Sequence, residues 1–432
     1  MRNNLFHRIL RVVSGAVTGL VAASALAQEP KLTNAKLQSH AITGGLERTL
    51  HSLVEAEAGP AWIGYSVPAV AGNHHICCYS GEERRVPANV RHGRCLLEGR
   101  DDGLNFQNDD EHDHSGSARV VVVFRVADHR VGKLRVFSED CELDVGGLPF
   151  NWLTGVEPKE SVEWLAGLVK SGADERGPER RLRENAVTAI ALHGDAAADR
   201  ALAHFVEPSQ PEQLRKDTAF WLGNVRGQAG YEVLRRLVHD DPSDNVRDQC
   251  VFALSISKVP EALATMIDVA RHDRSRHIRG QALFWLSQKG GREAADAIGE
   301  AVNNDPDAEV RKKAIFALSQ LKQDEGVPKL IEAAKSNSNR EARKEALFWL
   351  SQKAGKKATE AIADAAENDP DVEIKKKAIF GLSQLPQDEG VPKLIQVAKT
   401  NRSREARKEA IFWLGQSHDD RALAFFEEVL TR

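Results

Sequence analysis

Seven phenylalanines, Phe220, Phe252, Phe284, Phe316, Phe348, Phe380 and Phe412, follow one another at a constant spacing of 32 residues. A period held over that length belongs to a repeat array, in which one supersecondary unit is copied and stacked on itself. Two-layer enzyme folds give no such period. More than half of the chain is therefore committed to one architecture, and the expectation moves from catalysis towards binding.

The unit can be read position by position. With Val310 as position one, the same slot holds Leu182, Leu214, Val246, Ile278, Val310, Ala342, Ile374 and Ala406. Position two is basic throughout: Arg183, Arg215, Arg247, Arg279, Arg311, Arg343, Lys375 and Arg407. Position five is small or short, from Ala186 and Thr218 through Cys250 to Ala410, and position nine is Ile190 and then Leu222 to Leu414. Apolar residues at one, five, eight and nine form the stripe of an amphipathic helix. Cys250 fills the small slot, so its expected role is packing. Ser243, Ser275, Asp307, Asn339, Asp371 and Ser403 stand three residues earlier as N-caps. A second helix is expected to begin at Gly326-Val327-Pro328 and at its copy Gly390-Val391-Pro392, with proline in the first turn. Each copy is thus a helical hairpin.

Position eight alternates large and small: Ala189, Trp221, Ala253, Trp285, Ala317, Trp349, Gly381 and Trp413. A large ring against a small neighbour is the expected form of core interdigitation between adjacent hairpins. Glu309–Leu350 and Glu373–Leu414 are near-copies, so the duplicated unit is a cassette of two hairpins.

The run Val310-Arg311-Lys312-Lys313-Ala314-Ile315-Phe316-Ala317-Leu318-Ser319 resembles the HEAT repeat, and the short period is similar to the HEAT-like repeats of phycocyanobilin lyase. The resemblance covers about residues 179–432. It implies a curved α-α solenoid of about eight 32-residue hairpins, with the Phe-bearing helix on the concave side. Two enzymes of this repeat class fit the sequence poorly. Deoxyhypusine hydroxylase holds iron through His-Glu pairs, and this chain has no His-Glu dipeptide. Bilin lyases act on cytoplasmic proteins, which conflicts with the leader described below.

Around the helix, the Phe falls nearly opposite the core stripe, beside Lys312, Lys344, Lys376 and Lys408 on one flank and Gln320, Gln352 and Gln384 on the other. Two arrangements follow. Either Phe284, Phe316, Phe348, Phe380 and Phe412 stand exposed as a binding ladder, or each tucks sideways against the next hairpin. The position-two arginines are expected to be structural, bonding loop acids or carbonyls.

The rest of the chain follows other rules. Arg2, Arg8 and Arg11 precede an apolar stretch that ends in Ala25-Leu26-Ala27, the pattern of a secretory signal peptide cleaved after Ala27. No later segment is apolar enough to span a bilayer, so a periplasmic or secreted protein is expected. A net charge of −4 gives no global attraction for nucleic acid. Residues 28–158 read as a small β-rich domain, with strands at Trp62–Val70, Ala118–Val126, Val131–Ser138 and Cys141–Val145 and a turn at Ala127–Arg130. Gly146-Gly147-Leu148-Pro149 is expected to end it, and residues 159–178 to form a capping helix and linker. Cys77, Cys78, Cys95 and Cys141 are disulfide candidates, Cys77 and Cys78 each pairing with Cys95 or Cys141, or a single bond forming. His74, His75, His112 and His114 are weak metal candidates whose spacing matches no metal motif.

The function expected from these features is an exported scaffold that binds another protein through its concave face. It needs no cofactor and no catalytic residue. The alternatives are a metal-binding or redox module in the N-terminal domain, docked by the solenoid, and an enzyme of the HEAT class.

Overall fold

The computed structural model of the chain describes residues 29–57, 59–72, 74–77, 95–98, 105–107, 118–171, 177–353 and 355–431. The leader of residues 1–27, Cys78, His112 and His114 lie outside them.

Ten strands open the described chain: β1 Leu32–Thr33, β2 Lys36–Ala41, β3 Ala61–Pro68, β4 His75–Cys77, β5 Cys95–Leu96, β6 Asn105–Gln107, β7 Arg119–Ala127, β8 Arg130–Ser138, β9 Leu143–Asp144 and β10 Pro149–Thr154. The main sheet has the order β2-β10-β3-β7-β8. In it β10 runs parallel to β2 and β3, while β3, β7 and β8 pair antiparallel. Asp128 and His129 turn the β7–β8 hairpin with φ of 52° and 56°, the two left-handed residues that match a twisted ribbon.

Two expectations need correction. Gly146 and Gly147, with φ of 69° and 82°, do not end the β region; they bend the chain into β10, which lies inside the sheet. A helix, α1 Leu46–Ala56, also belongs to this region, and its sign was present: Leu46, Leu50, Leu53 and Val54 fall on one face. Of Cys141–Val145, only Leu143–Asp144 forms ladder pairs.

Strand β7 explains its own unbroken valines, because both sides of the sheet are covered. On one side Ile63, Tyr65, Val122, Phe124, Leu134 and Val136 pack beneath α1 and α2 Pro158–Ser171, in a core continuous with the helical array. On the other, Trp62, Val121, Val123, Phe137, Phe150 and Trp152 pack with Cys77, Cys95 and Cys141. Cys77 and Cys141 are bonded, with Cα atoms 5.8 Å apart.

The helices then pair as eight hairpins. The first four are α3 Pro178–Leu192 with α4 Ala196–Phe205, α5 Glu212–Val225 with α6 Gly227–Asp240, α7 Asp244–Ile256 with α8 Glu261–His272, and α9 Arg276–Lys289 with α10 Arg292–Asn304. The others are α11 Ala308–Gln320 with α12 Val327–Ser336, α13 Arg340–Ser351 with α14 Lys356–Asn368, α15 Val372–Ser383 with α16 Gln387–Thr400, and α17 Arg404–Gly415 with α18 Asp420–Leu430. The Phe-bearing helices pack on one another more extensively than their partners do, so that layer is the inner one.

The position-two arginines join the hairpins. Arg215 is bidentate to Asp241 (2.8 and 3.2 Å), Arg247 to Asp273 (3.1 and 3.2 Å) and Arg279 to Asp305 (2.8 and 3.0 Å). Arg247 and Arg279 each also donate to a carbonyl six residues earlier, that of Asp241 and of Asp273. Each acid in turn accepts the amide two residues on, at Ser243, Ser275 and Asp307, and so shapes the loop into the next helix. At each staple the arginine thus meets the acid that ends its own hairpin, and that acid sets the start of the next. The hydrogen bond to Asp305 holds the Arg279 guanidinium above its ordinary pKa. Where Asn337 and Asn401 replace the acid, Arg311 and Lys375 bond backbone carbonyls of Asp305 and Glu367.

The expected caps occupy N-cap positions. Asp307, Asn339, Asp371 and Ser403 accept amides of their first turns, whereas Ser243 and Ser275 turn their hydroxyls to Glu212 and Asp244 of the preceding hairpin. At Gly326 a Cβ would stand 1.9 Å from the Leu318 carbonyl oxygen, so only glycine allows the second helix to cross the first there. The two copies differ at this point. Pro386 starts α16 at Gln387 and leaves Pro392 inside it, while Lys322 at the equivalent site gives a short 3₁₀ turn before α12.

The sheet is fixed to the first hairpin by backbone and side-chain bonds. Val70 N–H donates to Leu192 O (2.8 Å), and Gly194 N–H to Pro68 O (2.8 Å). Beneath them lies a buried chain. His193 Nδ1 donates to Ala189 O (2.6 Å), which leaves Nε2 to accept from Ser161 Oγ (2.8 Å), itself 2.7 Å from Tyr65 OH. Burial pushes His193 down to about 4; the Ala189 bond opposes the shift and the Arg226 charge adds to it.

Two outcomes are expected. Arg247→Ala strands Asp273 inside the array and costs about 3–5 kcal/mol, whereas Arg311→Ala costs about 1 kcal/mol, since one carbonyl bond is lost. Urea midpoints compare the two, and equal losses would refute the staple. His193 takes a proton more readily when unfolded, so stability falls as pH drops from 6.5 towards 4, by about 3 kcal/mol at the limit. Between pH 7 and 4.5, wild type should lose more stability than His193→Gln in matched urea titrations.

Candidate protein-binding groove

The inner helices α11, α13, α15 and α17 enclose a groove of about 920 Å³. Phe348, Phe380 and Trp413 give it apolar surface, Lys312, Lys344, Lys376 and Lys377 positive charge, and Glu309, Glu341, Glu345, Glu373 and Glu409 negative charge.

The position-eight tryptophans pack against the core from its edge rather than filling it. Trp285, Trp349 and Trp413 are half-buried, and each lies between two phenylalanines. Trp285 sits 4.9 Å from Phe252 and 5.1 Å from Phe284, Trp349 5.2 Å from Phe316 and 5.1 Å from Phe348, and Trp413 5.2 Å from both Phe380 and Phe412. The indole N–H groups are satisfied at the surface, Trp349 by Glu345 (3.0 Å) and Trp413 by Glu409 (2.9 Å). Offset and edge-on ring pairs of this kind add about 0.5–1.5 kcal/mol beyond their burial.

The two arrangements considered for the Phe ladder therefore coexist. Each ring rests an edge on a tryptophan and keeps part of its face in solvent, with Phe316 37% and Phe412 55% exposed. Lys377 Nζ lies 5.3 Å from the Phe348 centroid and 4.9 Å from that of Phe380, bridging neighbouring hairpins.

The lysine column is not a bare positive stripe. Lys344 pairs with Glu341 and Lys376 with Glu373, each at 3.0 Å. The hydrogen bond to Glu373 also raises the Lys376 pKa. The signal was in the sequence, since Glu309, Glu341, Glu373 and Glu405 stand three residues before each lysine. Position four carries a further signal; it alternates as Lys313, Glu345, Lys377 and Glu409, and three of these line the groove.

Of the residues singled out from sequence, the structure brings Lys312, Lys344, Lys376, Phe348 and Phe380 together. Gln320, Gln352 and Gln384 are exposed at the far ends of the inner helices and lean on Ser319, Ser351 and Ser383. Lys408, Phe284, Phe316 and Phe412 lie on the same layer outside the groove lining. His75 stands on β4 near Cys77, and His74 precedes that strand.

A sequence model of HEAT repeats matches residues 201–283, 263–351 and 359–432, more than half of the chain. The protein belongs to the HEAT-repeat family. No curated protein matches its sequence. Among solved structures it is similar to human deoxyhypusine hydroxylase in complex with glycerol, at 17% identity over 62% of this chain and 97% of that one, with a TM-score of 0.25. Yeast importin-β, Kap95p, is 11% identical over 60% of this chain and 40% of that chain, with a TM-score of 0.35. The CpcE–CpcF complex of phycocyanin lyase from Nostoc sp. PCC7120 gives 19% identity over 59% of this chain and 92% of that one, with a TM-score of 0.26. Likenesses at these values carry no argument about function.

Proposed function

We propose that this protein is an adaptor that holds an extended segment of another protein in the groove of α11, α13, α15 and α17, acting by binding rather than catalysis. The observation that carries the reading is the groove itself. Half-exposed aromatic rings form its floor, and fixed Glu–Lys pairs form its walls. Apolar anchors flanked by ordered charges of both signs suit a segment with spaced apolar side chains and mixed charges. Ring pairs that are already packed pay little ordering entropy on binding. The leader pattern of residues 1–27 and the Cys77–Cys141 bond support action outside the cytoplasm, on an envelope or secreted partner.

The test separates binding from folding. Lys344→Glu, Lys376→Glu and Lys377→Glu together turn a groove whose lining charges cancel into a strongly negative one and leave the Phe–Trp packing in place. The variant should keep native helicity by circular dichroism and lose at least about tenfold in affinity for the envelope protein that wild type retains, about 1.4 kcal/mol. Equal retention by the folded variant would move the binding site off this groove.

A further inference from the structure

Away from the groove, three metal-competent side chains converge at the edge of the N-terminal region. His75 and Cys77 stand two residues apart on β4, so both project from one side of its pleat. Cys141 follows β8 in a turn closed by its own N–H to Ser138 O at 3.1 Å. One donor atom from each of the three lies within 4.8 Å of the other two, and His75 Nε2 is 3.6 Å from Cys77 Sγ. The sulfurs are buried while His75 is partly open to solvent, which gives the cluster one accessible side. The frame does not depend on the sulfur–sulfur bond. Ile76 N–H donates to Ser138 Oγ at 2.9 Å, and β4 is laddered to β6 through His75↔Gln107 and Cys77↔Asn105. Asp140 Oδ2 lies 3.1 Å from the same His75 Nε2, a contact that a cation on that nitrogen would displace.

We propose that this cluster is a redox-gated site for a thiophilic divalent cation of the zinc type. In the oxidised protein the Cys77–Cys141 bond closes it. A dithiol reductant gives two electrons to that bond, becomes a disulfide itself, and leaves two thiols on β4 and the β8 turn. The cation then takes both sulfurs as thiolates, releasing their two protons to solvent, and takes neutral His75 through Nε2. Water fills the fourth position on the open side. Two sulfurs and an imidazole nitrogen are the donor set that selects zinc over hard cations. Freed of their bond, the sulfurs need to separate only to about 3.7 Å for tetrahedral ligation. The proposal stands apart from the groove and does not rest on it.

Cobalt is the probe, because thiolate ligation gives it a charge-transfer band. Oxidised protein should show no such band. After reduction and removal of the reductant, one cobalt per chain should bind with the band present. Cys78→Ser and Cys250→Ala should leave binding unchanged. His75→Ala, at a partly exposed position that preserves the fold, should weaken it at least about tenfold. A reduced protein of native helicity that gives no band would overturn the site. So would equal binding by wild type, His75→Ala and a Cys77→Ser/Cys141→Ser variant.

Discussion

A guanidinium buried between hairpins sets the geometry of the array. Arg215, Arg247 and Arg279 are each held by the acid that ends their own hairpin, and Arg247 and Arg279 also by a carbonyl of the loop before that hairpin. A charge so placed tolerates one arrangement of its neighbours, because any slip leaves it unpaired in a poor solvent. The apolar stripe alone would permit a range of rotations between like helices. The staple selects one. Everything on the concave face inherits that choice, including the spacing that lets a tryptophan of one hairpin meet the phenylalanine of the hairpin before it.

At the N-terminal end the array is finished by a sheet rather than by a polar helix. Its apolar side continues the solenoid core, and α2 with the Tyr65–Ser161–His193 chain seals the seam. A repeat stack needs an end that does not expose its stacking surface. Here that end is a folded unit with its own second core, so the two parts of the protein share their stability across the seam. The buried histidine is neutral because burial outweighs the bonds that would charge it.

The solenoid was legible because its signal is repeated: each copy restates the same caps, stripe and arginine. The staple partners were less so. An acid 26 residues after its arginine is a long-range contact, and the 32-residue column Asp241, Asp273, Asp305, Asn337, Asp369, Asn401 becomes meaningful only once the hairpin geometry is known. In the N-terminal region nothing repeats, so β-branched runs mark the strands but do not reveal α1 or the place of β10. Sheet order is set by pairings distant in sequence, and the Gly146-Gly147 turn looks the same whether a domain ends or a strand follows. In the groove, position on the helix gave the lysines and phenylalanines. The half-buried tryptophans and the pairing of charge depend on how neighbouring hairpins are offset, which a single helical wheel does not contain.

The near-copied cassettes Glu309–Leu350 and Glu373–Leu414 repeat part of the charge pattern of the groove, with Glu309 answered by Glu373, Lys312 by Lys376 and Glu345 by Glu409. Such a surface is degenerate. A ligand that reads that charge pattern once has two similar berths, an entropic gain of at most about 0.4 kcal/mol, and can exchange between them without leaving. A ligand carrying the motif twice, at the pitch of two hairpins, fills both berths, and the second contact forms at a high effective concentration. Duplication of the cassette thus changes valency without adding any new kind of contact.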